Sequence, residues 1–486
     1  MAIAFKKFSL MMGCILLILA CWAGPVSAAE SRSDADLRRE IDDYVRGSLR
    51  ANSIPAAALA VSRNGETFYA QGYGAGEDGR EVTGSTPFPI ASLSKSFTAL
   101  AVLQLADKGL VDLDAPYASY FPDLAPKDER VRKITVRNLL NQTSGLNDRV
   151  NPDMTRSPQY RSLEEINPAL DGVKLARDPG TAYSYHNPNY QYLARLVEQV
   201  SGRSFSDYLK ENVFEPLGMN HTFNVATTRQ IDDNPAIPRG HYVLWGRPVS
   251  KEEPLWFIDG PAGIVSTAED MARWMLAQYE GRLLGPEIME TYHKAGPIGP
   301  YGMGWLAEKD ERGGRTISHS GILWTYKAEE TIYLDRKLGI AMMFDSGLNA
   351  FVNYSAIVEG VAKIMQGREA GIPLANGRNV ETALIALTAA TIGWGVYSIL
   401  RLHRRSKRIP TLRLVVSTVG RLLPVLILLL LSPIMSFVGG GRVVPWFGLW
   451  TMMASLIVWL AALALANLAN LACRWRLYIL ARRKTA

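Results

Sequence analysis

Cysteine is scarce in this chain: three residues in 486, at positions 14, 21 and 473. None falls in the long middle stretch, so no disulfide framework holds it, and it must rely on a packed core, which a domain of that size can bury. Histidine is scarce as well. The six, at 186, 221, 241, 293, 319 and 403, show no H-E-x-x-H or paired spacing, which argues against a catalytic zinc; neither metal nor cofactor is expected. Acidic residues vanish from Thr382 onward, where thirteen Lys or Arg stand unopposed. The remaining positions 1–381 hold 40 basic and 46 acidic residues, a formal charge of −6. The overall +7 therefore belongs to the tail, and no nucleic-acid surface is indicated.

At this length the chain should divide into at least two folding units. Lys6 and Lys7 precede an apolar stretch from Phe8 to Trp22, and Val26-Ser27-Ala28 offers a small-residue cleavage site, so positions 1–28 read as an export signal. Lipidation at Cys21 and an uncleaved anchor helix are the alternatives. Positions 29–366 read as the exported domain, 367–381 (with Gly371, Pro373 and Gly377) as a linker, and 382–486 as a membrane domain.

Within the exported part, Ala56 to Ser62, the turn Arg63-Asn64-Gly65-Glu66 and Thr67 to Ala70 predict a hairpin. Ser94 to Asp107 is apolar nearly all round, the pattern of a helix in the middle of a domain, closed by Lys108-Gly109. Strand-like runs return at Thr331–Leu334 and Gly339–Phe344. Early and late strands sharing one sheet, with helices between, make an α+β fold.

In the tail, Thr382–Leu400, Val419–Val438 and Val443–Ala472 are apolar over the roughly 20 residues that cross a bilayer, although Arg421 and two prolines interrupt the middle one. Arg and Lys crowd the first loop and the C-terminus, while the second loop, Gly439-Gly440-Gly441-Arg442, has a single charge. The positive-inside rule then places the large domain outside the cytoplasm, in agreement with the export signal.

Three islands carry chemistry. Ser92-Leu93-Ser94-Lys95 sets a hydroxyl and an amine on one helix face, at a helix start where free N–H groups stabilise negative charge. A lysine desolvated there can take or relay the serine proton near neutral pH. Tyr185-His186-Asn187 lies between a turn and a helix, where a phenol can shuttle protons and a carboxamide can hold a substrate amide. The plain alternative is a turn tyrosine and a helix-capping asparagine, with His186 structural or at the rim. His319-Ser320-Gly321 reads as a strand edging a cleft, its small residues letting substrate lie against the backbone. Taken singly it is equally a surface histidine before a glycine turn.

Order and neighbours add weight. Ile134-Thr135-Val136-Arg137-Asn138-Leu139-Leu140-Asn141-Gln142-Thr143-Ser144-Gly145-Leu146 resembles a segment of the class C β-lactamase-like, or penicillin-binding-protein-like, serine hydrolases. So do Pro179-Gly180 leading into Tyr185-His186-Asn187, Gly263 to Asp270, and Tyr301-Gly302-Met303-Gly304-Trp305. The resemblance covers about Leu37 to Ile364. It implies a central antiparallel sheet flanked by helices beside an all-helical lobe, here followed by three transmembrane helices. It also implies Ser92 as nucleophile, Lys95 and Tyr185 as proton-transfer partners, and Asn187, His319, Ser320 and Gly321 as substrate-binding residues. The oxyanion hole would be the backbone N–H groups of Ser92 and Ile322. His319 stands where the family often has lysine, a loss of fixed charge that protonation of the ring would restore. The three-span tail resembles that of the membrane-bound prodrug-activating peptidases. The expected protein is a membrane-anchored D-peptidase or amidohydrolase with a small peptide-like or acyl substrate. An esterase, a β-lactamase and a non-turnover penicillin-binding sensor are the alternatives.

Overall fold

The computed structural model describes residues 32–404 and 410–483. The export signal and the Cys21 reading lie outside that range. The chain opens with helix α1 (Asp34–Asn52), started by the Ser33 hydroxyl accepting from the Asp36 N–H at 3.1 Å. Strands β1 (Ala56–Arg63) and β2 (Glu66–Gly74) follow. Their turn has positive φ at Asn64 (52°) and Gly65 (91°), the conformation that makes Asn-Gly a tight hairpin.

Helices α2 (Ser94–Asp107), α3 (Pro188–Ser201) and α4 (Ala268–Glu280) belong to the long middle section. Strands β3 (Leu306–Lys309), β4 (Arg315–Ile322), β5 (Lys327–Tyr333) and β6 (Leu338–Phe344) come late, before helix α5 (Tyr354–Met365). The six strands form one antiparallel sheet in the order β2-β1-β6-β5-β4-β3, so early and late strands do meet, at β1 and β6.

Alternation along β1 explains its unbroken apolar run. Ala57, Leu59 and Val61 pack with α1 and α5 on one face, whereas Ala56, Ala58 and Ala60 join the larger core that contains α2, α3 and α4. Helix α2 is buried from Ser94 through Leu105, as its all-round apolarity predicts. It threads the helical lobe and delivers its N-terminal end to the rim of the sheet beside β4.

The tail contains helices α6 (Gly377–Arg404), α7 (Thr411–Leu429), α8 (Leu431–Val438) and α9 (Trp446–Arg483). Three of them, α6, α7 and α9, are long and apolar enough to cross a membrane. The first begins at Gly377, ahead of the expected Thr382, because the end of the linker is docked: the Gly377 N–H donates to Asn52 Oδ1 at 2.8 Å. The middle stretch, read as one segment, is two helices. Pro433 has no N–H for the Leu429 carbonyl, and the chain resets at Leu430. Helix α9 kinks at Met453 (φ −152°, ψ 44°), and the freed Met452 carbonyl accepts from the Ala350 N–H at 2.9 Å. Its first two turns therefore pack against the α+β domain rather than continuing the long apolar helix. Trp324 lies so close to Gly448 that a Cβ there would come within 2.3 Å of the indole.

Candidate active site

Ser92 lies in a 3-10 turn, Ala91–Leu93, that runs straight into α2. Ala91 holds φ at 47°, a conformation costly for a residue with a Cβ and characteristic of strained functional turns. Lys95, one turn on, is wholly buried; its Nζ donates to Ser92 Oγ at 2.9 Å and to the Pro261 carbonyl at 3.1 Å. The helix start is clamped from both sides. Ser94 Oγ accepts from the Ile264 N–H at 3.0 Å, and Gly304 approaches so closely that a Cβ would sit 2.7 Å from the Lys95 carbonyl oxygen.

The Tyr185–Asn187 loop is built by the segment ending Gln142-Thr143-Ser144-Gly145. Gln142 Oε1 accepts from the His186 N–H (3.0 Å) and Asn189 Nδ2 (2.6 Å), and its carbonyl accepts from the Ser184 N–H (2.9 Å). This scaffold sets the Tyr185 ring with its centroid 4.8 Å from Lys95 Nζ. Asn187 begins α3, followed by Pro188, but its side chain makes no capping bond. Instead Nδ2 donates to Asp153 Oδ2 at 2.8 Å, Oδ1 is buried and without a partner, and the residue lines the site's cavity. His186 is structural: fully buried, with Nδ1 3.0 Å from Asp148 Oδ1.

His319, Ser320, Gly321 and Ile322 end strand β4. His319 Nδ1 donates to the Ser320 carbonyl at 2.9 Å, leaving Nε2 to accept from the Tyr301 hydroxyl at 3.2 Å. Gly321 corrects its sequence reading. A Cβ there would lie 2.3 Å from the Ile90 carbonyl oxygen, so its bare face accommodates the turn carrying Ser92, not the substrate. Leu323 donates to the Tyr326 carbonyl at 3.0 Å, and N–H groups alternate along a strand, so the Ile322 N–H points away from β5. Pairing with β3 has stopped by then, at Ser318–Leu306.

These groups share one cavity of about 430 Å³, lined by Ser92, Tyr185, Asn187, His319, Ser320 and Ile322. Its other walls are largely apolar: Met154, Trp256, Leu306, Leu323 and Trp324 from the α+β domain, and Met435, Val438, Val444 and Met452 from the tail. All three islands come together, and the tail closes over them.

Burial drives the Lys95 amine well below the usual lysine range; Arg442 lowers it further and Asp153 partly offsets this. Burial pushes the Tyr185 phenol above its ordinary value, with the Ser92 hydroxyl drawing it partly back. Burial thus disfavours the charged form of each group, the Lys95 ammonium and the Tyr185 phenolate. Burial, then the neighbouring Lys95, pushes His319 down to about 3. The expectation that this ring could be protonated fails: both its nitrogens are engaged and its surroundings exclude charge.

Sequence reasoning passed over three charged residues. Arg442, used only as a marker of loop polarity, reaches into the site: Nε lies 3.0 Å from Asp148 Oδ2 and Nη2 3.3 Å from Asp153 Oδ2. Burial opposes its charge, but the two aspartates outweigh that and hold it above its usual range. The available signal was the lone charge in an otherwise neutral hairpin between apolar segments.

A family model described as Beta-lactamase matches residues 41–357. The chain belongs to the Beta-lactamase family. Its members are serine hydrolases, and the fold expected for them is the one observed. Protein flp of Staphylococcus aureus (strain MW2) is 27% identical over 319 residues, 63% of this chain and 63% of that protein. The chain thus spans less than two thirds of that relative's length. Putative penicillin-binding protein PbpX of Bacillus subtilis (strain 168) is 29% identical over 281 residues, 57% of this chain and 67% of that one. Among solved structures, the octameric penicillin-binding protein homologue from Pyrococcus abyssi superposes with TM-score 0.58 at 24% identity, covering 68% of this chain and 78% of its own. D-alanine carboxypeptidase AmpC from Burkholderia cenocepacia gives 0.56 at 20% identity, covering 69% and 100%. Both likenesses show the fold of the Beta-lactamase-family domain alone.

Proposed function

We propose that this protein is a membrane-anchored serine hydrolase that works through an acyl-enzyme on Ser92, most suited to amide bonds next to D-residues in peptidoglycan-type or N-acyl-D-amino acid-capped peptides. The observation that carries this reading is the 2.9 Å contact between Ser92 Oγ and a Lys95 amine whose charged form burial disfavours. Ser92 Oγ attacks the scissile carbonyl as its proton passes to Lys95 Nζ. The oxyanion forms against the Ser92 and Ile322 N–H groups, each worth about 3–4 kcal/mol in such sites. Collapse breaks the C–N bond. The lysine proton, relayed by the Tyr185 phenol, leaves on the departing amine. Water attack on the ester then frees the acid and restores the serine. Asn187 Oδ1 accepts a substrate N–H.

The position of Arg442 supports the proposed topology. Its ion pairs tie the hairpin between α8 and α9 to the exported domain, so that both belong on one side of the bilayer. The D-alanine carboxypeptidase among the structural likenesses makes D-peptides a reasonable class to test first. The apolar walls suit a substrate with an acyl or other apolar group beside its reactive carbonyl.

An esterase is the second reading. Among the described residues lining the cavity Arg442 is the one Lys or Arg, and it is already paired with two aspartates, so nothing there demands a substrate carboxylate. Full-length protein in detergent, assayed on N-acyl-D-amino acid amides, stem peptides and short acyl esters beside Ser92→Ala, separates the two. Ser92-dependent release of amines from D-amides supports the first reading. Turnover of esters alone overturns it in favour of the second.

A further inference from the structure

Asp148 and Asp153 are buried next to the Tyr185–Asn187 loop, and both carboxylates meet the same guanidinium. That guanidinium does not come from the exported domain. It comes from the four-residue hairpin Gly439–Arg442 that precedes α9, and the next backbone N–H, Val443, also donates to Asp148 Oδ2 at 3.2 Å. The Arg442 Nη1 additionally points at the Tyr185 carbonyl, at 3.5 Å. A loop with one charge thus places that charge between two buried acids at the wall of the site.

Asp153 is the informative partner. It accepts from Trp256 Nε1 at 2.8 Å through Oδ1, and from Asn187 Nδ2 and Arg442 Nη2 through Oδ2. A carboxylate can only accept, so as long as it stays ionised it must take the NH2 end of the Asn187 carboxamide and leave the C=O end without a protein partner. That C=O is the buried, unpartnered Oδ1. A protonated Asp153 could donate instead, and the carboxamide would be free to turn over.

We infer that Arg442 is a positioning residue: supplied by the tail, it pins the Asp153 carboxylate and thereby fixes Asn187 Oδ1 as the acceptor for a substrate N–H. The direction of the charge balance agrees. Burial pushes Asp153 upward and Arg442 is the largest influence resisting the rise. Asp148 keeps its charge through His186 and the same arginine, so the two acids share one cation. The site is therefore a composite, its substrate-orienting polarity set by a residue beyond the exported domain. A fragment ending near Gln366 lacks it.

This inference rests on the acyl-enzyme reading, and its test keeps the two apart. The probes are a pair of acylaminomethyl fluorophosphonates, one with a free amide N–H and one N-methylated, reacted with full-length protein in detergent. In wild type the N–H probe should react about five- to tenfold faster, the usual worth of one hydrogen bond. Arg442→Gln should bring that ratio to about one, Asp153→Asn should do the same, and Arg442→Lys should retain part of it. If Arg442→Gln fails to fold, the ratios in the other two variants decide. A wild-type ratio near one, or a full ratio surviving in Arg442→Gln or Asp153→Asn, overturns the inference. So does an equal loss of both probes with the ratio intact. No reaction of wild type with either probe, or equal reaction of Ser92→Ala, overturns instead the acyl-enzyme reading beneath it.

Discussion

Gly321→Ala is the sharpest structural perturbation of the site that leaves every reacting group in place. The added Cβ would lie 2.3 Å from the Ile90 carbonyl oxygen and 3.1 Å from Leu93 Cδ1, whereas ordinary contact starts at 3.4 Å. Relief requires about 1 Å of separation between β4 and the turn that carries Ser92. Overpacking of this kind costs about 1–3 kcal/mol. At roughly 2–4 °C per kcal/mol, the melting temperature should fall by about 2–12 °C. Reactivity should suffer more. A displacement of about 1 Å between nucleophile and oxyanion donors is worth roughly 100-fold in rate, so the rate constant for fluorophosphonate labelling should drop by about that factor. Gly172→Ala, at a position with open space around it, is the control and should match wild type. A small probe is essential. If Gly321 served substrate access, alanine would spare the small probe and impair only bulky substrates. Wild-type labelling of Gly321→Ala by a small fluorophosphonate would refute the packing argument.

Other outcomes follow from the charges. Lys95 has a folded-state value below its free value of about 10.4, so between those two the unfolded chain holds a proton that the folded chain has shed. Wild-type stability should therefore rise with pH across that window by up to about 1.4 kcal/mol per unit. Lys95→Met lacks that slope: thermal melts should show it gaining on wild type as pH falls below about 10, with labelling slowed severely, and parallel pH profiles would contradict the assignment. His319, held down to about 3, carries no charge between pH 5 and 8. The kcat/KM profiles of wild type and His319→Gln should consequently share their shape there, and an inflection near pH 6.5 present only in wild type would show that the ring titrates. Ser92→Ala should melt no more than about 1–6 °C below wild type, since it removes one hydroxyl bond worth about 0.5–1.5 kcal/mol; a larger loss would give Ser92 a structural role instead.

Much of the site was legible because its chemistry is local in sequence. Ser92 and Lys95 are one helical turn apart, and the all-round apolarity of Ser94–Asp107 fixed that helix as the lobe's centre. The Asn64-Gly65 hairpin was readable for the same reason, as a backbone conformation few other residue pairs adopt. What escaped depends on long-range packing. Gly321 looks like a substrate platform until Ile90, over two hundred residues earlier, is found against it. His319 looks available for protonation until Tyr301 and its own neighbour's carbonyl occupy both nitrogens. Arg442 is nearly 300 residues from Asp148 and Asp153, and neither acid sits in a recognisable motif. Asn187 is the mixed case: its island was visible, its helix-start position suggested a cap, and only Asp153 reveals which end of the amide is free. Lys327 was missed too, a buried cation on β5 that bonds Ser320 Oγ at 2.6 Å and pairs with Glu329, so that it supports β4 from behind.

The most direct measurement is peptide-mapping mass spectrometry of the full-length protein after reaction with a fluorophosphonate. One phosphonyl adduct is expected, on the peptide containing Ser92, absent from Ser92→Ala and slowed severely in Lys95→Met. An adduct on another residue, or one that persists when Ser92 is replaced, would contradict it.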